Sequence, residues 1–147
     1  MNAQQSSTFS NKVASNAIDK DRKTYSLTAT ANDAWWTAEL KEMAKIDQVL
    51  VYAKKSFFDR LYKNFMVEVG LIKDVWELCK GPYDMQTPID PHVVTCNSPK
   101  IARYIRLSRV LSYRSYIVFL EVEVFGTFVG ESNCFYHITR YKGVEHL

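Results

Sequence analysis

An antiparallel β-sandwich is the fold class this sequence predicts. Two features carry the prediction: short segments with a two-residue hydrophobic period recur between loops, and no stretch sustains a helical period. The 147 residues, 47% hydrophobic and 24% charged with 5 Gly and 4 Pro, suffice for one packed core and little beyond it. That composition excludes collagen-like, low-complexity and wholly disordered chains. A formal charge of +3 is too small to call for nucleic acid.

The first thirty-odd residues are polar and predict loops around short extended pieces, with one helical turn over 13–18 and a tight loop at Asp19-Lys20-Asp21. AWWTAEL then opens the first strand, which sends Trp35 and Trp36 to opposite faces. One Trp is expected in the core, and a sugar-stacking platform is the alternative for the pair. KEMAK (41–45) predicts one exposed turn. IDQVLVYA (46–53) is apolar on both faces from Val49 onward, as in a covered central strand. NFMVEVGLI alternates cleanly, with Phe65, Val67 and Val69 on one side and Glu68 on the other. The stretch from Trp76 to Pro99 holds all four prolines and is expected to be mostly irregular. ARYIRLSRV is extended, with Tyr104, Ile105 and Leu107 competing for the core. SYIVFLEVEVFG (115–126) is the strongest strand signal, and 127–147 is expected to add a strand near Phe135–Ile138 or a packed tail.

Nucleophilic catalysis needs a nucleophile and a base held together. His92, His137 and His146 have no nucleophile motif nearby, and no phosphate-binding loop, zinc-protease helix or paired C-x-x-C occurs. The chain is therefore not expected to be an enzyme. Asn16, Asp19 and Asp21 are close enough for one loop to wrap a hard cation, which wants six to eight oxygens. The same residues also suit an Asx-stabilised surface turn. Phe57-Phe58, flanked by Lys54, Lys55 and Arg60, suits a membrane surface or a partner groove, or else a Phe folded under its own loop. Arg103, Arg106, Arg109 and Arg114 fit a solvated sheet edge, not one basic stripe. No apolar run is long enough to cross a bilayer. The N-terminus lacks the basic start and apolar core of a signal peptide, which taken alone favours the cytosol.

Several separated pieces then line up in order. QQSSTFS, VASNAIDKDRKTYS, AWWTAEL, FFDRLYKNFMVEVG, Cys79 with Cys96, ARYIRLSR and LEVEVFG together resemble the F-type lectins, or fucolectins. These belong to the galactose-binding-like jelly-roll class that includes discoidin domains. The resemblance covers about residues 4–126, with 127–147 as a C-terminal extension, and the family's usual first strand is expected to be missing before QQSS.

The resemblance implies an eight-stranded antiparallel jelly-roll sandwich with a shallow sugar pocket among the loops at one end. It also implies a structural Ca2+ that staples the N-terminal loop to the last strand. By position, the ion takes side-chain oxygens from Asp19 and Glu121, and carbonyls from Asn16, Asp21, Ser26 and Leu120. Where the family has Gly followed by Asn, this chain has Lys20-Asp21, so Lys20 is expected to keep a negative φ. The family grips fucose with one His and two Arg. The His position falls on Ala29, the first Arg on Ala53, and only Arg60 remains. The stacking half-cystines of the family correspond to Ser56 and Phe57, so Phe57 offers an apolar platform and Lys54 or Lys55 a new donor.

Cys79 and Cys96 match the family's loop disulfide, while Leu27 and Leu120 replace its second one together. Cys134 lies beyond the resemblance, free or available for an intermolecular bond. A Cys79–Cys96 bond favours an extracellular or cell-surface protein. No N-x-S/T acceptor occurs. The expected function is a calcium-stabilised carbohydrate-binding module with a sugar site altered from the fucose pattern. Its expected partner is a glycan or glycoprotein, with self-assembly a further possibility. The alternative is a lectin fold turned to recognising a protein surface or a membrane.

Overall fold

The computed structural model describes residues 1–53, 63–85, 91–129 and the backbone of 135–137. Among these, the strands are β1 (Asn2–Gln5), β2 (Ser26–Leu27), β3 (Trp35–Tyr52), β4 (Phe65–Gly70), β5 (Glu77–Tyr83), β6 (His92–Arg109), β7 (Val118–Phe119), β8 (Glu121–Val129) and β9 (Phe135–His137). A 3-10 helix at Ala14–Ile18 supplies the predicted helical turn. Every strand pairing is antiparallel. One sheet runs β5-β4-β6-β3-β8-β9 with β1 also on β3, and β2 pairs with β7 in a second. The expected antiparallel β-sandwich is borne out.

Two 18-residue strands, β3 and β6, form both layers. The first part of β3 pairs with β1 and with the end of β6, so that Trp36 faces Gln5 and Leu107. Its last part pairs with β8 and the start of β6, where Val51 faces Val122 and His92. The register breaks between Glu39 and Ala44 and again between Ile46 and Gln48. Buried residues on both sides of these breaks, including Trp36, Leu40, Ile46 and Val49, belong to one core. The expected exposed turn at 41–45 is therefore part of a continuous strand. Lys41, Glu42 and Met43 are exposed because β3 bulges there as it leaves one layer for the other.

The proline-rich stretch is also more regular than expected. Pro82 lies in β5, an edge strand where a missing N–H costs no ladder bond, and Pro99 lies where β6 loses register with β3. Cys79 on β5 and Cys96 on β6 form the implied disulfide, 17 residues apart with a Cα–Cα distance of 4.4 Å.

Alternation assigns the core as the sequence predicts. Phe65 and Val67 are fully buried and Glu68 faces outward. Trp36 is fully buried, donates its indole N–H to the Ala14 carbonyl at 3.0 Å, and meets Phe119 edge-on at 6.1 Å. Trp35 lies half-buried on the outer face. Of the arginines placed at a solvated edge, Arg109 proves to be 1% exposed and donates to the Ser115 hydroxyl. Arg103 and Arg106 pair with Glu39 and Glu68 at 3.2 and 3.6 Å.

Candidate functional site

The N-terminal loop and the start of β8 bring several oxygen atoms together. The 3-10 helix ends at Ile18, and Asp19 turns the chain: its Oδ1 accepts the Asp21 amide at 2.8 Å, and Asp21 Oδ1 accepts the Lys23 amide at 2.9 Å. These are the Asx turns that the residue types allow. They engage one oxygen of each carboxylate. The Thr24 hydroxyl lies within reach of the Asp21 carbonyl at 2.8 Å, the Asn16 carbonyl at 3.4 Å and Asp19 Oδ2. One hydroxyl has one proton to give. The Asp21 carbonyl also accepts the Thr24 amide at 3.1 Å, so three acceptor oxygens gather around Thr24.

Glu121 reaches the same place from the far end of the chain. It opens β8 beside Tyr52, is only 4% exposed, and its Oε2 accepts the Lys20 amide at 3.0 Å. Burial raises the Glu121 carboxyl from 4.5 to about 7, and the nearby Asp19 and Glu123 charges push the same way. The Lys20 amide and Arg22 pull it down, with the Arg22 guanidinium 3.7 Å over the Tyr52 ring. A buried carboxylate near two further carboxylates, with Arg22 the one cation that acts on it, is short of positive charge.

The structure thus brings together Asn16, Asp19, Asp21 and Glu121 of the six implied metal ligands. Ser26 is buried at the head of β2 opposite Phe119, and Leu120 joins β7 to β8 with its amide bonded to the Tyr52 carbonyl at 2.9 Å. Lys20 departs from expectation. Its φ is +66°, so it adopts the left-handed turn itself while its side chain remains exposed. Thr24 was not foreseen, because a lone Thr in a polar stretch carries no signal. Among the described residues no three His, Cys, Asp or Glu side chains form a ligand cluster, so any cation here would depend on carbonyl oxygens.

The implied sugar residues are only partly visible. Lys54, Lys55, Phe57 and Arg60 lie outside the described residues. Ala53 is buried directly after β3, and the half-buried Ala29 donates its amide N–H to the Ser7 hydroxyl oxygen at 3.1 Å. Neither alanine side chain can make a hydrogen bond. A pair missed in the sequence lies at this end of the sandwich. The Tyr83 hydroxyl at the end of β5 is 2.8 Å from His92 Nε2 at the start of β6, with the rings stacked 5.8 Å apart. Burial raises Tyr83 to about 12 and lowers His92.

The F5/8 type C domain pattern matches residues 2–120, most of the chain. The chain belongs to the F5/8 type C domain family. The resemblance read from the sequence is borne out at that level. No curated protein sequence gives a significant match. Solved structures give several. A fucolectin from striped bass (Morone saxatilis) serum is 23% identical, with a TM-score of 0.68 over 85% of this chain. A Streptococcus pneumoniae fucose-binding module is 26% identical at TM-score 0.73, over 85% of this chain and 90% of its own. A pectin-binding carbohydrate-binding module is 20% identical at TM-score 0.72, over 84% of this chain and 88% of its own. This F5/8 type C domain spans 45% of the striped bass fucolectin's length. The shared feature is the jelly-roll sandwich.

Proposed function

We propose that this F5/8 type C domain is a carbohydrate-binding module, stabilised by Ca2+, whose loop-end sugar site departs from the fucose pattern. The observation that carries the reading is the fold. It follows modules that bind fucose and pectin over 84–85% of the chain, with family membership across residues 2–120. Ala29 and Ala53 support a changed specificity. Each removes a side chain that would hydrogen-bond a sugar, a loss of about 0.5–1.5 kcal/mol apiece and more for a charged donor. By the resemblance read from the sequence, Arg60, Lys54 and Lys55 would supply donors and Phe57 an apolar face. The disulfide is in keeping with an extracellular or cell-surface setting.

The oxygen cluster fits Ca2+. Asp19 and Glu121 would supply carboxylates, and Asn16, Asp21, Ser26 and Leu120 carbonyls. The ion would supply the charge that two facing carboxylates lack. The chain's own residues already position the parts: Asp19 fixes the turn, and the Lys20 amide ties it to Glu121.

A glycan array with and without Ca2+, using neutral, fucosylated, sialylated and sulfated panels, tests the reading. Specific hits lost in Arg60→Ala are expected. A blank array from folded, Ca2+-loaded protein refutes it. Binding that depends on Phe57 and Phe58 without sugar competition would instead identify a protein- or membrane-recognition module.

A further inference from the structure

The outer face of the sheet formed by β1, β3, β6 and β4 has a second hollow, apart from both sites above. Alternation along β3 sends Trp35, Thr37 and Glu39 outward while Trp36, Ala38 and Leu40 enter the core. On β6, Arg106 stands opposite Thr37 and also opposite Glu68 of β4. The turn after β4 closes the hollow. It folds back so tightly that a Cβ on Gly70 would lie 2.1 Å from the Val75 carbonyl oxygen, and Asp74 takes a φ of +64°. That turn delivers Asp74 and Trp76 to the sheet face. Together, Trp35, Thr37, Asp74, Trp76 and Arg106 line a hollow of about 220 Å³. It continues into a smaller one of about 60 Å³ that reaches Glu39 and the β1 residues Asn2 and Gln4.

The chemistry of this hollow is specific. Two half-buried indoles flank one guanidinium, whose carbon lies 5.9 Å from the Trp35 ring centre and 5.8 Å from that of Trp76. At those distances the guanidinium makes a cation–π contact with each ring, close to the outer limit of about 6 Å for such contacts. Its Nη groups make no hydrogen bond among the described residues, since the contact with Glu68 is through Nε at 3.6 Å. The Asp74 carboxylate likewise has no hydrogen-bond or ion-pair partner among them. Charges on this face balance: Arg103 with Glu39, Arg106 with Glu68, and Lys73 beside Asp74. Aromatic faces take the C–H side of a pyranose ring, and a planar guanidinium and a carboxylate take paired hydroxyls. A balanced face offers no field to attract a polyanion.

We propose that this sheet face is a second binding site, for a segment of a neutral oligosaccharide chain seated between Trp35 and Trp76 and hydrogen-bonded by Arg106 and Asp74. The site goes beyond the loop-end reading and uses none of its residues.

The three tryptophans give three indole N–H signals in a proton–nitrogen correlation spectrum, two from this face and one from buried Trp36. The full chain is titrated with neutral β-1,4-linked hexaoses of glucose, mannose and galactose, one at a time. The expected result is that at least one hexaose moves the Trp35 and Trp76 signals together while Trp36 stays still. Trp76→Ala is then expected to weaken that binding at least tenfold. Backbone shifts confined to the loop end, with still indoles, overturn the proposal and leave the loop-end site standing. Still indoles with every hexaose overturn it whatever the array gives. So does a proline-rich peptide that moves both indoles when no sugar does.

Discussion

Glu121→Gln separates the cost of burying a carboxylate from its use as a ligand. Burial lifts this carboxyl from 4.5 to about 7. At about 1.4 kcal/mol per pH unit, that interval amounts to roughly 3 kcal/mol. The folded protein keeps a proton that the unfolded chain has released. The stability of calcium-free protein therefore falls as pH rises from 4.5 to about 7, and stays low above that. Glutamine retains an oxygen for the Lys20 amide and has no charge to desolvate. Urea unfolding in chelator, at about pH 5 and about pH 8, should show the wild type losing most of that energy, about 2–3 kcal/mol, and the variant almost none. His92, lowered from 6.5 by burial, acts in the opposite sense: it adds stability as pH rises towards 6.5. It does so in both proteins and cancels in the difference. With Ca2+ at a hundredfold excess over its Kd, the wild type should gain about 2.7 kcal/mol and the variant much less. Identical pH profiles for the two proteins in chelator would refute the argument.

Lys20→Gly should stabilise the fold by about 1 kcal/mol in urea melts, because a φ of +66° costs a β-carbon residue what glycine avoids. Trp36→Ala should cost about 3–5 kcal/mol, since the side chain is fully buried against Phe119 and leaves a cavity and an unmatched Ala14 carbonyl. Denaturant midpoints at unchanged slope would check it. Reducing Cys79–Cys96, which closes a stretch of 17 residues, should lower stability by about 3 kcal/mol, read from unfolding with and without reductant.

The sequence made the layers legible where a strand has one wet face. Phe65, Val67 and Val69 against Glu68, and Trp36 against Trp35, follow directly from a two-residue period. Legibility failed where a strand changes layers. Lys41, Glu42 and Met43 look like a turn because the bulge exposes consecutive side chains without ending the pairing. Pro82 and Pro99 look like breakers because local pattern does not reveal an edge strand or a register break. At the acidic N-terminal loop, Asp19 and Asp21 signal themselves by spacing. Glu121 lies about a hundred positions away and enters only through resemblance to a family. Thr24 has no signal at all. Arg109 misleads because arginine is rarely buried, and its burial follows from tertiary neighbours such as Ser115.

The bond between the Lys20 amide and Glu121 spans 101 positions, and β2 finds its partner only in β7, where Ser26 meets Phe119. This has a consequence for the order in which the molecule is made. As the chain emerges from the ribosome, the Lys20 amide must wait for a partner that is made 101 residues later. Such distant closures are slow, on the order of milliseconds to seconds for β-rich domains. A chain cut short before β7 would keep Asp19 and Thr24 and lack the Glu121 carboxylate that lies near them. The oxygen cluster is therefore assembled late, when the start of β8 meets a loop made 101 residues earlier.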